Sequence, residues 1–228
     1  MTEDNVLIRL DKVYKTYTAS RVPVPALHGV DFVLRKGEMT AVLGASGSGK
    51  TTLINILSLL DTYDSGEYFL LGNDIGTLSN AQKTRIRNTS LGVLLQNFFL
   101  IEEYTVLTNV MVPLLYSKNK GSKDSYLDKI STLLDTLELL EKKDCFARDL
   151  SGSQRLRVAI ARATINDPEI ILADEPTGEL DSVSASDAIA VLKELNSQGK
   201  TMVIATDSHK IAAHCSNVLI LEDGRIKS

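Results

Sequence analysis

The sequence predicts an α/β fold: a mostly parallel β-sheet core with an N-terminal antiparallel β-rich portion and an inserted α-helical lobe. Three observations predict it. Alternating, strand-like segments occupy the first 44 residues; helix-periodic segments fill about 81–148; and the final third alternates helices with short, almost wholly apolar runs. Runs of the last kind suit parallel strands buried on both faces.

Taken in order, NVLIRLDKVYKTY (5–17) and VDFVLRKGEMTAVLG (30–44) alternate apolar and polar residues and are rich in Val, Leu and Ile. They read as strands, with RKGE as a turn between two of them. GKTTLINILSLL (49–60) has helical spacing, and SGEYFLLGNDI (65–75) reads as a hairpin strand. In SYLDKISTLLDTLELLEKK (125–143), Leu and Ile recur every three or four residues with charges between them, as on an amphipathic helix. SQRLRVAIARATIND (153–167) is a further helix, and EIILADEP (169–176) a buried strand ended by acids. SASDAIAVLKELNSQGK (184–200) is a helix that Gly199 stops. TMVIAT (201–206) and NVLILEDGRI (217–226) close the chain as strands, the latter turning at Asp223-Gly224. No internal repeat, low-complexity tract or linker interrupts 1–228, so one folding unit is expected, with the helical lobe inserted over about 81–160.

Bulk properties narrow the function classes. A net charge of −4 supplies no overall basic field for nucleic acid or an anionic membrane. Cys145 and Cys215 are far apart and outside any C-x-x-C pairing, and read as reduced thiols of a cytosolic protein. No apolar run approaches the roughly 20 residues that cross a bilayer. The start MTEDNVLIRL is acidic, unlike a secretory signal. Any membrane role is therefore expected to come through a partner.

GASGSGKT (44–51) fits G-x-x-x-x-G-K-[ST] between an expected strand and an expected helix, the context that gives the motif meaning. Glycine at Gly44, Gly47 and Gly49 frees the backbone to aim successive N–H groups at phosphate oxygens. Ala45, Ser46 and Ser48 complete the loop, and the helix TTLINILSLL, opening at Thr51 and Thr52, adds its positive end. Lys50 is expected on the β- and γ-phosphates and the Thr51 hydroxyl on Mg²⁺. The core is thus expected to be that of a phosphate-loop NTPase binding a nucleoside triphosphate. Asp174 and Glu175 then fall at the carboxyl end of a buried strand, where open α/β sheets bind ligands. Asp174 is expected on Mg²⁺, and Glu175 to polarise an attacking water. Adjacent buried carboxylates without a cation would be costly.

At LSGSQRLRVAIARA (150–163) the chain resembles the ATP-binding cassette ATPases of ABC transporters, over essentially its whole length and with motifs in order. The resemblance implies further roles. Tyr17 would stack on adenine. Gln96 would ligate Mg²⁺ and sense a transmembrane partner. Ser151, Gly152, Ser153 and Gln154 would contact the ATP held by an opposite subunit, and GELD (178–181) would bridge the two sites. Each site would then be composite, closed when ATP joins two cassettes head to tail as a homodimer or with a paralogue. DTYDSGEY, QNFFLIEEYTVLTNV and ADEPTGELDS resemble the branch serving lipoprotein release, macrolide export and antimicrobial-peptide export. That implies a cassette on the cytoplasmic face of the membrane, driving a separate permease that docks at 98–116.

Two residues depart from the family pattern. Ser153 replaces the second glycine of L-S-G-G-Q and adds a Cβ, and the following RLR is less polar than usual, so a weaker cross-subunit contact with ATP is expected. Asp207 stands where the family has a histidine on the γ-phosphate. An aspartate is ionised near neutral pH and repels phosphate, so slowed hydrolysis is expected. His209 is expected as a surface residue, not a substitute, and His28 and His214 as structural. The alternative function is a regulatory ATP clamp that signals to a membrane partner with little hydrolysis. Soluble cassettes of DNA repair or translation carry insertions or second cassettes that this chain lacks.

Overall fold

A computed structural model describes residues 5–18, 22–117, 123–178 and 180–227. Strand β1 (Val6–Tyr17) pairs antiparallel with β2 (Val24–Arg35), the two forming one edge of a four-stranded antiparallel sheet. The turn Lys36–Glu38 then leads into β3 (Met39–Leu43), every residue of which is buried. Helix α1 (Lys50–Leu57) follows, and β4 (Ser65–Leu70) and β5 (Asn73–Asp74) return to the antiparallel sheet, giving the order β2-β1-β4-β5.

Helix α2 (Asn80–Ser90) starts in a capping box in which Ser79 and Gln82 satisfy each other's backbone amides. It feeds β6 (Leu91–Leu94), and then come α3 (Val106–Leu115), α4 (Lys123–Thr136) and α5 (Gly152–Thr164). The end of the chain runs β7 (Ile170–Asp174), α6 (Ser182–Ser197), β8 (Thr201–Thr206), α7 (His209–Ala212), β9 (Asn217–Glu222) and β10 (Arg225–Lys227). The second sheet has six strands in the order β10-β9-β3-β8-β7-β6, parallel throughout except for the β9–β10 hairpin.

That sheet divides two apolar clusters. Along β7 and β8, Ile171, Ala173, Met202 and Ile204 face the helices α3 to α6, while Ile170, Leu172, Val203 and Ala205 face α1 and the antiparallel sheet. Burial on both faces explains why these strands lack polar alternation. Helix α1 lies between the two sheets, which fixes its N-terminus against the ends of β3, β7 and β8.

The structure departs from the sequence expectation at three places. The helical stretch expected over 81–148 is interrupted by β6, an edge strand of the parallel sheet, because an apolar run of four residues is too short to show either period. The helix expected over 125–143 ends at Thr136, after which Glu138 takes φ +56 and Leu140–Lys142 forms a single 3₁₀ turn. The strand expected from Val30 begins at Val24. Gly199, at φ +95, does end α6, and Asp223 and Gly224, both at positive φ, turn the last hairpin.

Candidate active site

The parallel strands deliver their following residues to one edge: β3 leads into Gly44, β6 to Gln96, β7 into Glu175 and β8 into Asp207. There a cleft of about 470 Å³ is lined by Tyr17, Ser46, Gly47, Gly49, Lys50, Thr51, Thr52, Gln96, Glu175 and Asp207. Residues separated by up to 190 positions in sequence are thereby brought together.

The loop folds as its glycines require. A Cβ at Gly44 would lie 2.4 Å from the Leu221 carbonyl oxygen, and Gly49, at φ +104, would put one 2.6 Å from the Ala26 carbonyl. The Gly44 amide donates to the Thr206 carbonyl at 3.2 Å, tying the loop to β8. Lys50 is buried; its Nζ donates to the carbonyls of Gly44 (2.8 Å) and Ala45 (3.0 Å) and stands 3.3 Å from Glu175 Oε1. Ser48 is buried with a hydroxyl that has no hydrogen-bond partner among the described residues, and its carbonyl accepts the Gly224 amide.

Asp174 is 1 % exposed, and its Oδ1 has no hydrogen-bond partner among the described residues. Burial pushes the pKa of this carboxyl up, against the opposing pull of the Thr51 hydroxyl and the Lys50 charge. A buried carboxylate oxygen left unpaired beside a threonine hydroxyl at a helix start fits a hard divalent cation such as Mg²⁺. Glu175 has φ +45, a strained conformation for a residue with a side chain, held by its amide on the Ala205 carbonyl and its carbonyl on the Gly178 amide. Asp207 is exposed at the cleft. His209 is also exposed, but it opens α7 and does not line the cleft.

Ser151, Gly152, Ser153 and Gln154 form the N-terminus of α5 and do not line the cleft. Ser151 caps the helix with Gln154 in a second capping box, and its hydroxyl is 3.1 Å from that of Ser153. Ser153 lies in the helix without positive φ, so its Cβ adds no backbone strain. Of GELD, Gly178 lines the cleft and Asp181 caps α6, while Glu179 lies outside the described residues. The two arginines of RLR point into the helical layer: Arg155 pairs with Glu102, and Arg157 with Glu138. The sequence reading missed Val24, Pro25 and Ala26, which line the cleft beside Tyr17. Their V-P-V-P context, poor in strand signal, hid the start of β2.

Fold and cleft together define a phosphate-loop α/β protein, with its cleft at the carboxyl ends of parallel strands. The chain belongs to the ABC transporter family, whose model matches residues 27–178, and is one of its ATP-binding cassettes. It is 41 % identical to the macrolide export ATP-binding/permease protein MacB of Chlorobium phaeobacteroides over 98 % of its own length, and spans 34 % of that protein. It is 37 % identical to the lipoprotein-releasing system ATP-binding protein LolD 1 of Rhodopseudomonas palustris, covering 96 % of this chain and 98 % of that one. A dimeric structure of the bacterial ABC transporter cassette MJ0796 superposes with a TM-score of 0.90 at 36 % identity, over 97 % of both chains. The same cassette was also solved as a dimer in a post-hydrolysis state bound to ADP and Pi.

Proposed function

We propose that the chain is the motor subunit of a transporter of the macrolide-export and lipoprotein-release type, binding and hydrolysing MgATP to drive a separate permease. The observation that carries this reading is the cleft that joins the phosphate loop, Gln96, Glu175 and Tyr17 at one sheet edge. The loop amides and Lys50 bind the phosphates, and Tyr17 stacks on the base. Thr51, Gln96 and Asp174 would hold Mg²⁺, which when bound shields phosphate charge. Glu175 accepts a proton from the attacking water, its carboxylate kept near the reacting phosphate by Lys50. Ser151 to Gln154 serve the nucleotide of a second cassette, in a homodimer or with a paralogue, which accounts for their lying outside this cleft. The region 98–116 exposes Phe99, Ile101, Tyr104, Leu115 and Tyr116, a surface suited to a permease on the cytoplasmic face. Among the described residues no helix is long and apolar enough to cross a membrane. The cargo class in this reading is a peptide, lipoprotein or hydrophobic compound.

Hydrolysis is slow in this reading, because Asp207 meets the phosphate with a negative charge where a donor would stabilise developing charge. The same residue supports a second reading, a regulatory clamp in which ATP binding and dimerisation signal to the membrane partner. Measuring ATP binding and turnover, with and without a permease, tests both. Lys50→Ala is expected to abolish binding; retained binding overturns the cleft assignment. A homodimer that turns over at ordinary transporter rates overturns the slow site, and turnover that the permease never stimulates favours the clamp.

A further inference from the structure

The segment Asp61–Tyr68, DTYDSGEY, follows α1 and has no place in the cleft, yet both of its aspartates grip the end of β1. Asp64 accepts the Thr16 amide through its side chain at 2.6 Å, and its own amide donates to the Tyr14 carbonyl. Asp61 sits between two side chains of β1. The Tyr17 hydroxyl donates to Asp61 Oδ2 at 2.8 Å, and Lys15 Nζ donates to Oδ1 at 3.0 Å. Lys15 is 7 % exposed and lies over the Tyr17 ring, 5.0 Å from its centroid, without lining the cleft. The Tyr17 hydroxyl is also 3.4 Å from Thr52 Oγ1, beside the phosphate loop.

Tyr17 is the last residue of β1, with 37 % of its surface exposed, and its ring is held by Lys15 of the same strand and by Asp61. A phenol held by a carboxylate, with a cation over one ring face, loses rotamer freedom before a ligand arrives, so binding need not supply the ordering entropy. The Lys15 ammonium lies over one face of the ring without lining the cleft, which Tyr17 lines together with Val24, Pro25 and Ala26.

We propose that Asp61 and Lys15 are positioning residues that preset the Tyr17 ring for the base of the bound nucleotide. The 61–68 segment then serves base recognition, although it lines none of the base site. This rests on the reading of Tyr17 as the base-stacking residue, and the test separates the two ideas.

Calorimetric affinities for MgATP and for magnesium tripolyphosphate, which has no base, are compared in the full chain and its variants. Tyr17→Ala is expected to weaken ATP on the order of ten- to a hundredfold, since stacking a base on an aromatic ring contributes roughly 1–3 kcal/mol. Tyr17→Phe keeps the ring and loses the tether; with Asp61→Asn and Lys15→Met it is expected to weaken ATP about three- to tenfold while leaving tripolyphosphate unchanged. The pair Tyr17→Phe/Asp61→Asn is expected to weaken ATP by less than the product of the two single effects, because both remove the Tyr17–Asp61 hydrogen bond. If Tyr17→Ala weakens ATP but Tyr17→Phe and Asp61→Asn do not, the positioning role is overturned and the base reading stands. If Tyr17→Ala binds ATP normally, both fail. Equal losses for ATP and tripolyphosphate in Asp61→Asn and Lys15→Met would reduce the pair to a structural contact and overturn the inference.

Discussion

Replacing Asp174 by asparagine is expected to stabilise the ligand-free fold while weakening MgATP binding, two effects of opposite sign from one atom. The carboxyl is almost fully buried, its Oδ1 has no hydrogen-bond partner among the described residues, and burial outweighs Thr51 and Lys50 in raising its pKa. A carboxyl whose folded pKa lies above its unfolded value contributes stability at low pH that is lost as pH rises through the folded pKa. The fold therefore disfavours the carboxylate form of Asp174, a charge that asparagine, of nearly the same shape, never carries. An uncompensated buried polar group costs on the order of 1–3 kcal/mol, and the partial help from Lys50 and Thr51 argues for the lower part, about 1–2. In a chain of this size that corresponds to roughly 2–8 °C in Tm. Thermal melts across pH check it. The margin between the two proteins should be smallest at acid pH, below the ordinary aspartate range, and should shift in favour of the variant as pH rises through the raised folded pKa. Added MgATP should raise the wild-type Tm more than that of the variant, because ligand stabilises only in proportion to its affinity. A variant that melts below wild type at neutral pH without ligand, or gains as much from MgATP, refutes the reasoning.

Asp207→His is expected to raise steady-state ATP turnover on the order of tenfold to a hundredfold, part of the 10²–10³ that a lost transition-state donor typically costs; an unchanged rate refutes the slow-site account. Glu175→Gln is expected to lower turnover by roughly 10²–10⁴ with ATP affinity retained, as removal of a general base does, measured by single-turnover kinetics. Glu175→Gly should lose turnover too, yet relieve the φ +45 backbone, which stores on the order of 1–3 kcal/mol, so its Tm should match or exceed that of Glu175→Gln. Gly44→Ala is expected to destabilise the fold by about 1–3 kcal/mol, because its Cβ would meet the Leu221 carbonyl at 2.4 Å and the Ser48 hydroxyl at 2.5 Å; a melt within 1 °C of wild type counts against those contacts.

The parts legible in the sequence are those whose physics is local. The phosphate loop announces itself because eight consecutive residues must satisfy one backbone path, and Asp174 and Glu175 because an all-apolar strand ended by acids has few other uses. The hairpin at Asp223-Gly224 and the stop at Gly199 follow from positive φ alone. What stayed hidden depends on distant partners. Four residues of β6 are a strand only because β7 lies beside them, and periodicity cannot register an element that short. Lys15, Tyr17 and Asp61 meet across 44 residues of chain, so no window of sequence contains the contact. The inward turn of Arg155 and Arg157 likewise depends on Glu102 and Glu138, neither within one helical turn of them.

That inward turn changes what the departures in the signature segment mean. Helix α5 begins at the capping box of Ser151 and Gln154, and in its last turn Arg162 donates to the carbonyls of Phe98 and Phe99. Those two residues, at φ +54 and +47, form the strained turn just after Gln96. Near its start, Arg155 takes both Glu102 and the Ala147 carbonyl at 3.0 Å. One 13-residue helix, about 20 Å long at 1.5 Å per residue, thus joins the segment proposed to face a second cassette with the loop that follows Gln96. Its polar side chains hold that loop by charge-assisted hydrogen bonds, which are short and directional. The serine that makes LSGSQRLR unusual therefore leaves the helix start capped, while Arg155 binds the helix to Glu102 and Arg157 binds it to Glu138. Of the two departures, Asp207 is the one that lies in this cleft, while Ser153 lies on the segment proposed to face a second cassette.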